Sequence, residues 1–265
     1  MSCSKHQRGA FTLIELLVVI AIIAVLMSIL MPALSAVKKQ AKAIHCVNNI
    51  RSLSMAWFMY KDDNDDQLVG GQTGPGNWIE NRVTSYSLDP MEQEKEGIRR
   101  GKLYTYVGKS VESYRCPADM RVLSPDNPTF RTYSVTGGMY GVGKGGGWEI
   151  VPHTKYSTIK NPAQKLVFLG EADPRGMNMG SWVMYPKRRE WVDPFAIWHT
   201  KNRSTLGFAD GHGEMHRWES NDLADWCTEI WDSPGTFQFY RRPDTVEEVR
   251  DFDWMWDRYA YRRLQ

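Results

Sequence analysis

The chain has 265 residues, with 24% charged and 42% hydrophobic side chains and a formal net charge of +2. Those proportions suit one membrane anchor and one sizeable folded domain. A charge so near zero offers no basic field for nucleic acid, so that partner class is set aside.

Residues 1–10 carry Lys5 and Arg8 and end in the small pair Gly9-Ala10. An apolar run follows. From Leu16 to Leu34 it holds no charge, and only Ser28 and Pro32 interrupt it. A helix of about 20 apolar residues crosses a bilayer core of about 30 Å, and in lipid only a helix satisfies the backbone of such a segment. Lys38 and Lys39 on the far side nearly balance Lys5 and Arg8. The position of the leader therefore sets the orientation, with the N-terminus in the cytoplasm.

Glu15 stands at the start of this run. An ionisable residue in a membrane span is expensive and is functional by default. An ordinary secretory signal is cleaved after its apolar stretch, whereas here the small residues come before it. Cleavage between Ala10 and Phe11 leaves the hydrophobic helix on the mature chain. It also creates an α-amine at Phe11, one helical turn from Glu15 and mostly cationic at neutral pH. Glu15 can pair with that amine or with the amine of a neighbouring subunit. A carboxylate in the first turn also suits the helix macrodipole.

The run Phe11-Thr12-Leu13-Ile14-Glu15-Leu16-Leu17-Val18-Val19-Ile20 resembles the class III leader of type IV pilins and type II secretion pseudopilins. The resemblance implies processing at Gly9, Ala10 and Phe11 by a prepilin peptidase, with methylation of the new Phe11 amine. It implies that Glu15 guides docking onto other pilin-like subunits, in a pilus or a secretion pseudopilus. Pro32 falls where many members have a kinking proline. One departure is Ala10, where the family nearly always has Gly. Cleavage after Ala10 keeps the Phe-to-Glu spacing, and cleavage after Gly9 lengthens it by one. The implied location is the inner membrane, crossed once, with the C-terminal domain periplasmic or extracellular.

Beyond the membrane, Cys46, Ile50, Leu53, Trp57 and Tyr60 recur at helical spacing, with Asn49, Arg51 and Ser54 at opposite positions. One helix therefore runs from Phe11 to Tyr60, as a transmembrane part over 11–35 and an amphipathic part over 36–60. Asp62-Asp63-Asn64-Asp65-Asp66 ends it. Asp62, Asn64 and Asp66 have the opening spacing of a calcium loop, but Gln67 replaces the expected Gly and Thr73 the expected Glu. The favoured reading is a solvated loop, with calcium as the minor alternative and no other cofactor. A short helix is predicted at Pro90 to Arg100. Strands are predicted at Phe130 to Val135, Lys165 to Leu169, Ser204 to Ala209 and Gly213 to Trp218. The last two flank Asp210-Gly211, a dipeptide suited to a tight hairpin turn.

The stretch Gly138 to Gly146 comes near P-loop and dinucleotide-binding spacings. It has Gly145 where Ser or Thr is required, and Trp148 to Pro152 where a helix should follow, so it reads as a flexible loop. Residues 219–265 look like an aromatic-rich extension to a domain over 61–218. In it, Asp244-Thr245-Val246-Glu247 can cap a helix with Val246, Val249, Phe252, Trp256 and Tyr259 on its apolar face. A long helix followed by an antiparallel sheet is the α+β plan of pilins.

Trp198-His199 to Asp210-Gly211-His212 resembles a C-terminal signature of pilin-like proteins described as prepilin-processing-associated: a His, nine residues, then Asp-Gly. Here ten residues separate His199 from Asp210. Ile159-Lys160-Asn161-Pro162, Glu171 and Cys116-Pro117-Ala118-Asp119 fit the same group. Cys3 would leave with the leader, and the remaining Cys46, Cys116 and Cys227 allow one disulfide and one free thiol. The contexts of Cys46 and Cys116 are like the family's, which favours that pair. Three buried thiols stay open as the alternative.

His199, Asp210, His212, His216 and Glu171 are metal-ligating types, yet His212 and His216 are about 13 Å apart along an extended strand, which favours a plain hairpin. No Gly-x-Ser-x-Gly, His-Glu-x-x-His or Cys-x-x-Cys occurs, so no enzyme is expected. Trp78, Trp148, Trp182, Trp191, Trp198, Trp226, Trp231, Trp254 and Trp256 lie outside the predicted long helix and strands. They either fill a core poor in strands or present indole faces. The second choice defines the alternative function, a membrane-anchored module that captures polysaccharide or a secreted partner.

Overall fold

The structure, a computed structural model, describes residues 13–85, 87–119, 121, 129–142, 150–172, 180–200, 202–229 and 237–262. The chain divides into two units, Met1–Ala41 and Lys42–Gln265. Helix α1 (Leu13–Asp62) begins in the first and ends in the second. In the first unit every residue from Leu13 to Ala41 is exposed, with Leu13 at 85% and Ile29 at 68%. Helical backbone bonding is complete enough there to pass through Pro32 without a break. The Ser28 hydroxyl donates to Val25 O at 2.7 Å and so masks its own polarity.

The second unit is built on a five-stranded sheet. Its strands are β1 (Tyr133–Thr136), β2 (Leu166–Gly170), β3 (Ser181–Trp182), β6 (Arg203–Phe208) and β7 (Gly213–Arg217), in the order β3-β1-β2-β6-β7. A separate pair, β4 (Met184–Tyr185) and β5 (Glu190–Trp191), forms a small antiparallel ribbon. The main sheet is antiparallel except at one edge, where β3 runs parallel to β1. A wholly antiparallel sheet was expected. The difference arises because β3 joins the free edge of β1 instead of turning back on β2, its predecessor in the chain. Strands β3, β4 and β5 have two residues each, too few to show a period.

β2 is buried along its whole length, because the sheet is a layer covered on both faces. On one face Tyr133, Val135 and Phe168 pack with Cys46, Ile50, Leu53 and Trp57 of α1. On the other, Leu169 and Leu206 pack with Trp182, Trp191, Phe195 and the C-terminal helices. A bulge between Leu166 and Phe168 puts neighbouring Val167 and Phe168 on the α1 side.

α1 buries a wider arc than its apolar spacing indicated. Asn49 and Ser54, read as opposite positions, are buried, Arg51 is exposed and Tyr60 is half-buried. The reason is polar anchoring. Asn49 Nδ2 donates to Glu112 O at 3.2 Å and Arg115 O at 2.8 Å, and Ser54 faces Gly207, which has no side chain to keep it away.

Helix α2 (Pro90–Arg100) forms where expected. Asp89 caps it through the amides of Met91 and Glu92, and Pro90 takes the first-turn position that needs no donor. Past Trp218 the chain belongs to the same unit. It adds α3 (Asn221–Glu229), which the sequence reading did not separate, and α4 (Val246–Arg258). Thr245 caps α4 by accepting from Glu248 N–H at 3.2 Å. Of the predicted α4 face, Phe252 and Tyr259 are buried and Trp256 is half-buried, but Val246 is 63% exposed and Val249 37%, and Glu248, Asp251 and Met255 are buried in their stead. Two carboxylates set that rotation. Glu248 meets Arg241 Nε at 2.7 Å, and Asp251 accepts from the amides of Glu219 and Ser220 just before α3.

Candidate functional site

Gly9, Ala10 and Phe11 lie outside the described residues. Glu15 lies within them, exposed in the first turn of α1, where a carboxylate is favoured by the unsatisfied N–H groups of the helix end. After it comes a long uncharged apolar surface, the one candidate span among the described residues. Leu16, Leu17, Ile20, Leu26 and Leu30 are each half-exposed or more. A helix that is apolar all round needs lipid or other helices around it.

At the domain end of α1, several groups fasten the helix to the sheet. Cys46 and Cys116 form a disulfide, with Cα atoms 5.0 Å apart and 70 positions between them in sequence. The Tyr133 hydroxyl donates to Cys46 O at 3.2 Å. Cys116 N–H donates to Thr132 Oγ1, whose hydroxyl donates to Asp119 at 2.7 Å, and Asp119 is held by Arg121 at 2.7 Å. Burial lowers the pKa of His199 and so favours its uncharged form. Its Nε2 sits 3.7 Å from Cys116 Sγ. Cys227 is free and buried, its thiol pushed up to about 12 by desolvation.

The β6–β7 hairpin carries the other fastenings. A Cβ on Gly207 would fall 2.1 Å from Ser54 Oγ, and one on Gly213 would fall 3.2 Å from Arg51 Cβ. Gly211 has φ +94 and lies against Met55. Glycines at these points let strand and turn backbone approach the helix closely. The turn itself is longer than the tight two-residue form expected. β6 ends at Phe208 and β7 starts at Gly213, and Gly211 N–H donates to Phe208 O at 3.0 Å. Only Gly211, not Asp210, takes a positive φ, the pattern of a β-turn followed by a left-handed glycine.

The ligand-type residues of the signature do not converge. His199 is beside the disulfide. Asp210 accepts from His212 Nδ1 at 2.5 Å within the turn. The His216 ring stacks on Trp254 with centroids 3.6 Å apart, and burial, then Arg258, pushes its pKa down to about 4. Glu171 is buried and accepts from the Ser134 hydroxyl. Among the described residues one group of three ligating side chains gathers, Cys46, Cys116 and His199, and the disulfide occupies both sulfurs.

After α1, Asp62 meets Lys61 Nζ at 2.5 Å, Asn64 Nδ2 donates to Tyr60 O at 2.7 Å, and Asp66 accepts from Ser157 Oγ at 2.5 Å. The Ser157 hydroxyl is the main cause of a lowered Asp66 pKa. Each of the three thus serves a different neighbour. Asn49, Gly207 and Gly213 were not singled out by sequence reasoning as fastening points. The glycines had a legible signal, since Gly inside a strand marks close backbone approach, but nothing in the pattern around Asn49 separates it from an exposed helix position.

Trp78, Trp182, Trp191 and Trp226 are buried, and Trp198, Trp254 and Trp256 are half-buried. Trp148 and Trp231 lie outside the described residues, as does most of the glycine-rich stretch, residues 143–149.

Residues 5–31 match the family model described as the prokaryotic N-terminal methylation motif. The chain is 37% identical over 99 residues to type II secretion system core protein G of Escherichia coli strain K12, covering 37% of this chain and 64% of that protein. It is 48% identical over 62 residues to the protein of the same name from Pectobacterium carotovorum, covering 23% of this chain and 40% of the relative. For the Pseudomonas aeruginosa protein of that name the identity is 35% over 86 residues, covering 28% of this chain and 61% of the relative. The matched stretch thus spans less than two thirds of each of these curated relatives. No solved structure matches. Over the matched stretches the chain is similar to these type II secretion proteins.

Proposed function

We propose that the chain is a pseudopilin-type structural subunit. It is cut before Phe11 by a prepilin peptidase, held in the inner membrane by α1, and assembled through that helix into a fibre of pilin-like subunits, with the Lys42–Gln265 unit outside the cytoplasm. The observation that carries this reading is the methylation-motif match over residues 5–31, which leads into a helix whose first half leaves its apolar surface exposed. That surface serves twice. In the membrane it faces lipid, and in a fibre it faces equivalent helices, so extraction from the bilayer exposes little of it to water. Glu15 supplies the polar contact in an apolar setting, where its partner is the cationic Phe11 amine of an adjacent subunit. A buried charge without a partner is strongly disfavoured, so this pairing fixes the axial register between subunits.

The capture-module alternative is not favoured, because no described tryptophan is exposed. The test compares the full chain with Glu15→Ala in cells carrying the assembly machinery. Expected are an N-terminus at Phe11 by mass spectrometry, membrane insertion of both forms, and loss of Glu15→Ala from sheared fibres. An uncut Met1, or fibre yield untouched by Glu15→Ala, defeats the reading.

A further inference from the structure

One cavity of about 490 Å³ lies in the second unit, between the segment preceding β2 and the end of α4. Its walls carry Lys160, Lys165 and Arg262 with one carboxylate, Asp257, and the rings of Trp256 and Tyr261. Several exposed arginines of this unit meet carboxylates: Arg250 meets Glu219 at 3.0 Å, Arg189 meets Asp253 at 2.6 Å and Arg242 meets Glu190 at 3.2 Å. Among the described residues, Lys160, Lys165 and Arg262 have no such ion pair. The polar contacts of the last two are backbone carbonyls, Asp257 O for Lys165 Nζ and Pro152 O, at 3.4 Å, for Arg262 Nη2. Three cations against one carboxylate leave the cavity positive. A buried wall residue responds to that field: His153 is pushed down to about 4, by desolvation first and then by Arg262 and Lys165.

We propose that this cavity binds an acidic sugar unit, a uronate. The cations supply the missing counter-charge, since charge-assisted hydrogen bonds to carboxylate, sulfate or phosphate are the strong ones. The volume falls within the range of small-molecule sites and exceeds what a bare inorganic anion fills. The half-buried indole of Trp256 and the ring of Tyr261 give the flat apolar wall that a pyranose face needs. Asp257 accepts from ring hydroxyls. This is a charged cavity within the folded unit. It is distinct from the exposed-tryptophan surface considered above and independent of fibre assembly.

The experiment is calorimetric titration of the full-length chain in detergent micelles at low ionic strength, with trigalacturonate, maltotriose and sodium sulfate as separate probes. Expected are binding of trigalacturonate, no measurable binding of maltotriose, and weaker binding of sulfate. Lys160→Ala with Arg262→Ala should weaken trigalacturonate by about tenfold or more; both residues are exposed and the variant removes one long hydrogen bond, so the fold is kept, as circular dichroism should show. Trp256→Leu should weaken trigalacturonate and leave sulfate unchanged. Four results overturn the proposal: silence with trigalacturonate at millimolar concentration, equal affinity for maltotriose, sulfate binding as tight as trigalacturonate, or an unaltered titration in the double variant.

Discussion

Removing the disulfide, by Cys46→Ala together with Cys116→Ala, tests how the helix is held to its domain. The bridge joins positions 70 apart. In the chain-entropy account, opening a loop of that length returns about 4 kcal/mol of freedom to the unfolded chain. For a domain of this size about 2–4 °C of melting temperature accompanies each kcal/mol, so the double variant should melt about 8–16 °C lower. The native fold should persist, because Asn49 and Tyr133 still bond across the same junction and Ile50, Leu53 and Trp57 keep their packing. The assay is thermal unfolding followed by near-ultraviolet circular dichroism, beside a non-reduced digest of the parent. The digest should contain a Cys46–Cys116 cross-linked peptide and a Cys227 peptide with a free thiol. A fall of less than about 3 °C, or a cross-link that includes Cys227, would refute the reasoning.

Other expectations follow from the same packing. Arg241→Ala leaves Glu248, fully buried, without its guanidinium partner, and should cost about 3–5 kcal/mol in chemical denaturation. Gly211→Ala forces a side chain into φ +94 beside Met55 and should cost about 1–3 kcal/mol, read the same way. His153 and His216 should each titrate at about 4 when followed by NMR. Both lie below the free-imidazole value, so between about pH 6.5 and pH 4 the unfolded chain binds more protons than the folded one. Stability should therefore decline as pH falls through that window and gain nothing further from these groups above it. A flat melting temperature from pH 7 to pH 4 contradicts the assignment.

Much of the N-terminal helix was legible because its signals are local. Glu15 and the run from Leu16 to Leu34 are read without knowing any tertiary contact, since their hydropathy and helical spacing lie in neighbouring residues. The same holds for the continuation of α1 to Asp62, for α2 after Asp89-Pro90 and for the β6–β7 hairpin around Gly211. The plan of a long helix on a sheet, and its α+β class, follow from those elements in order.

Elsewhere the decision belonged to groups far apart in sequence. Asn49 is buried because the carbonyls of Glu112 and Arg115 arrive above it. Part of the face of α4 was misread because Glu248 and Asp251, polar by type, are drawn inward by Arg241 and by the amides before α3. His199 and Asp210, weighed together in the sequence, end in different surroundings, one against Cys116 and the other in a turn with His212. The cationic cavity likewise joins Lys160 and Lys165 to Arg262 across about a hundred positions. Hydropathy and turn chemistry act over a few residues, so the sequence by itself determined the long apolar helix, its acidic residue, and the placing of α2 and the β6–β7 hairpin. Burial of polar groups depends on partners brought in by folding, so only the tertiary structure decided which polar side chains fasten the helix and which cations were left to face a cavity.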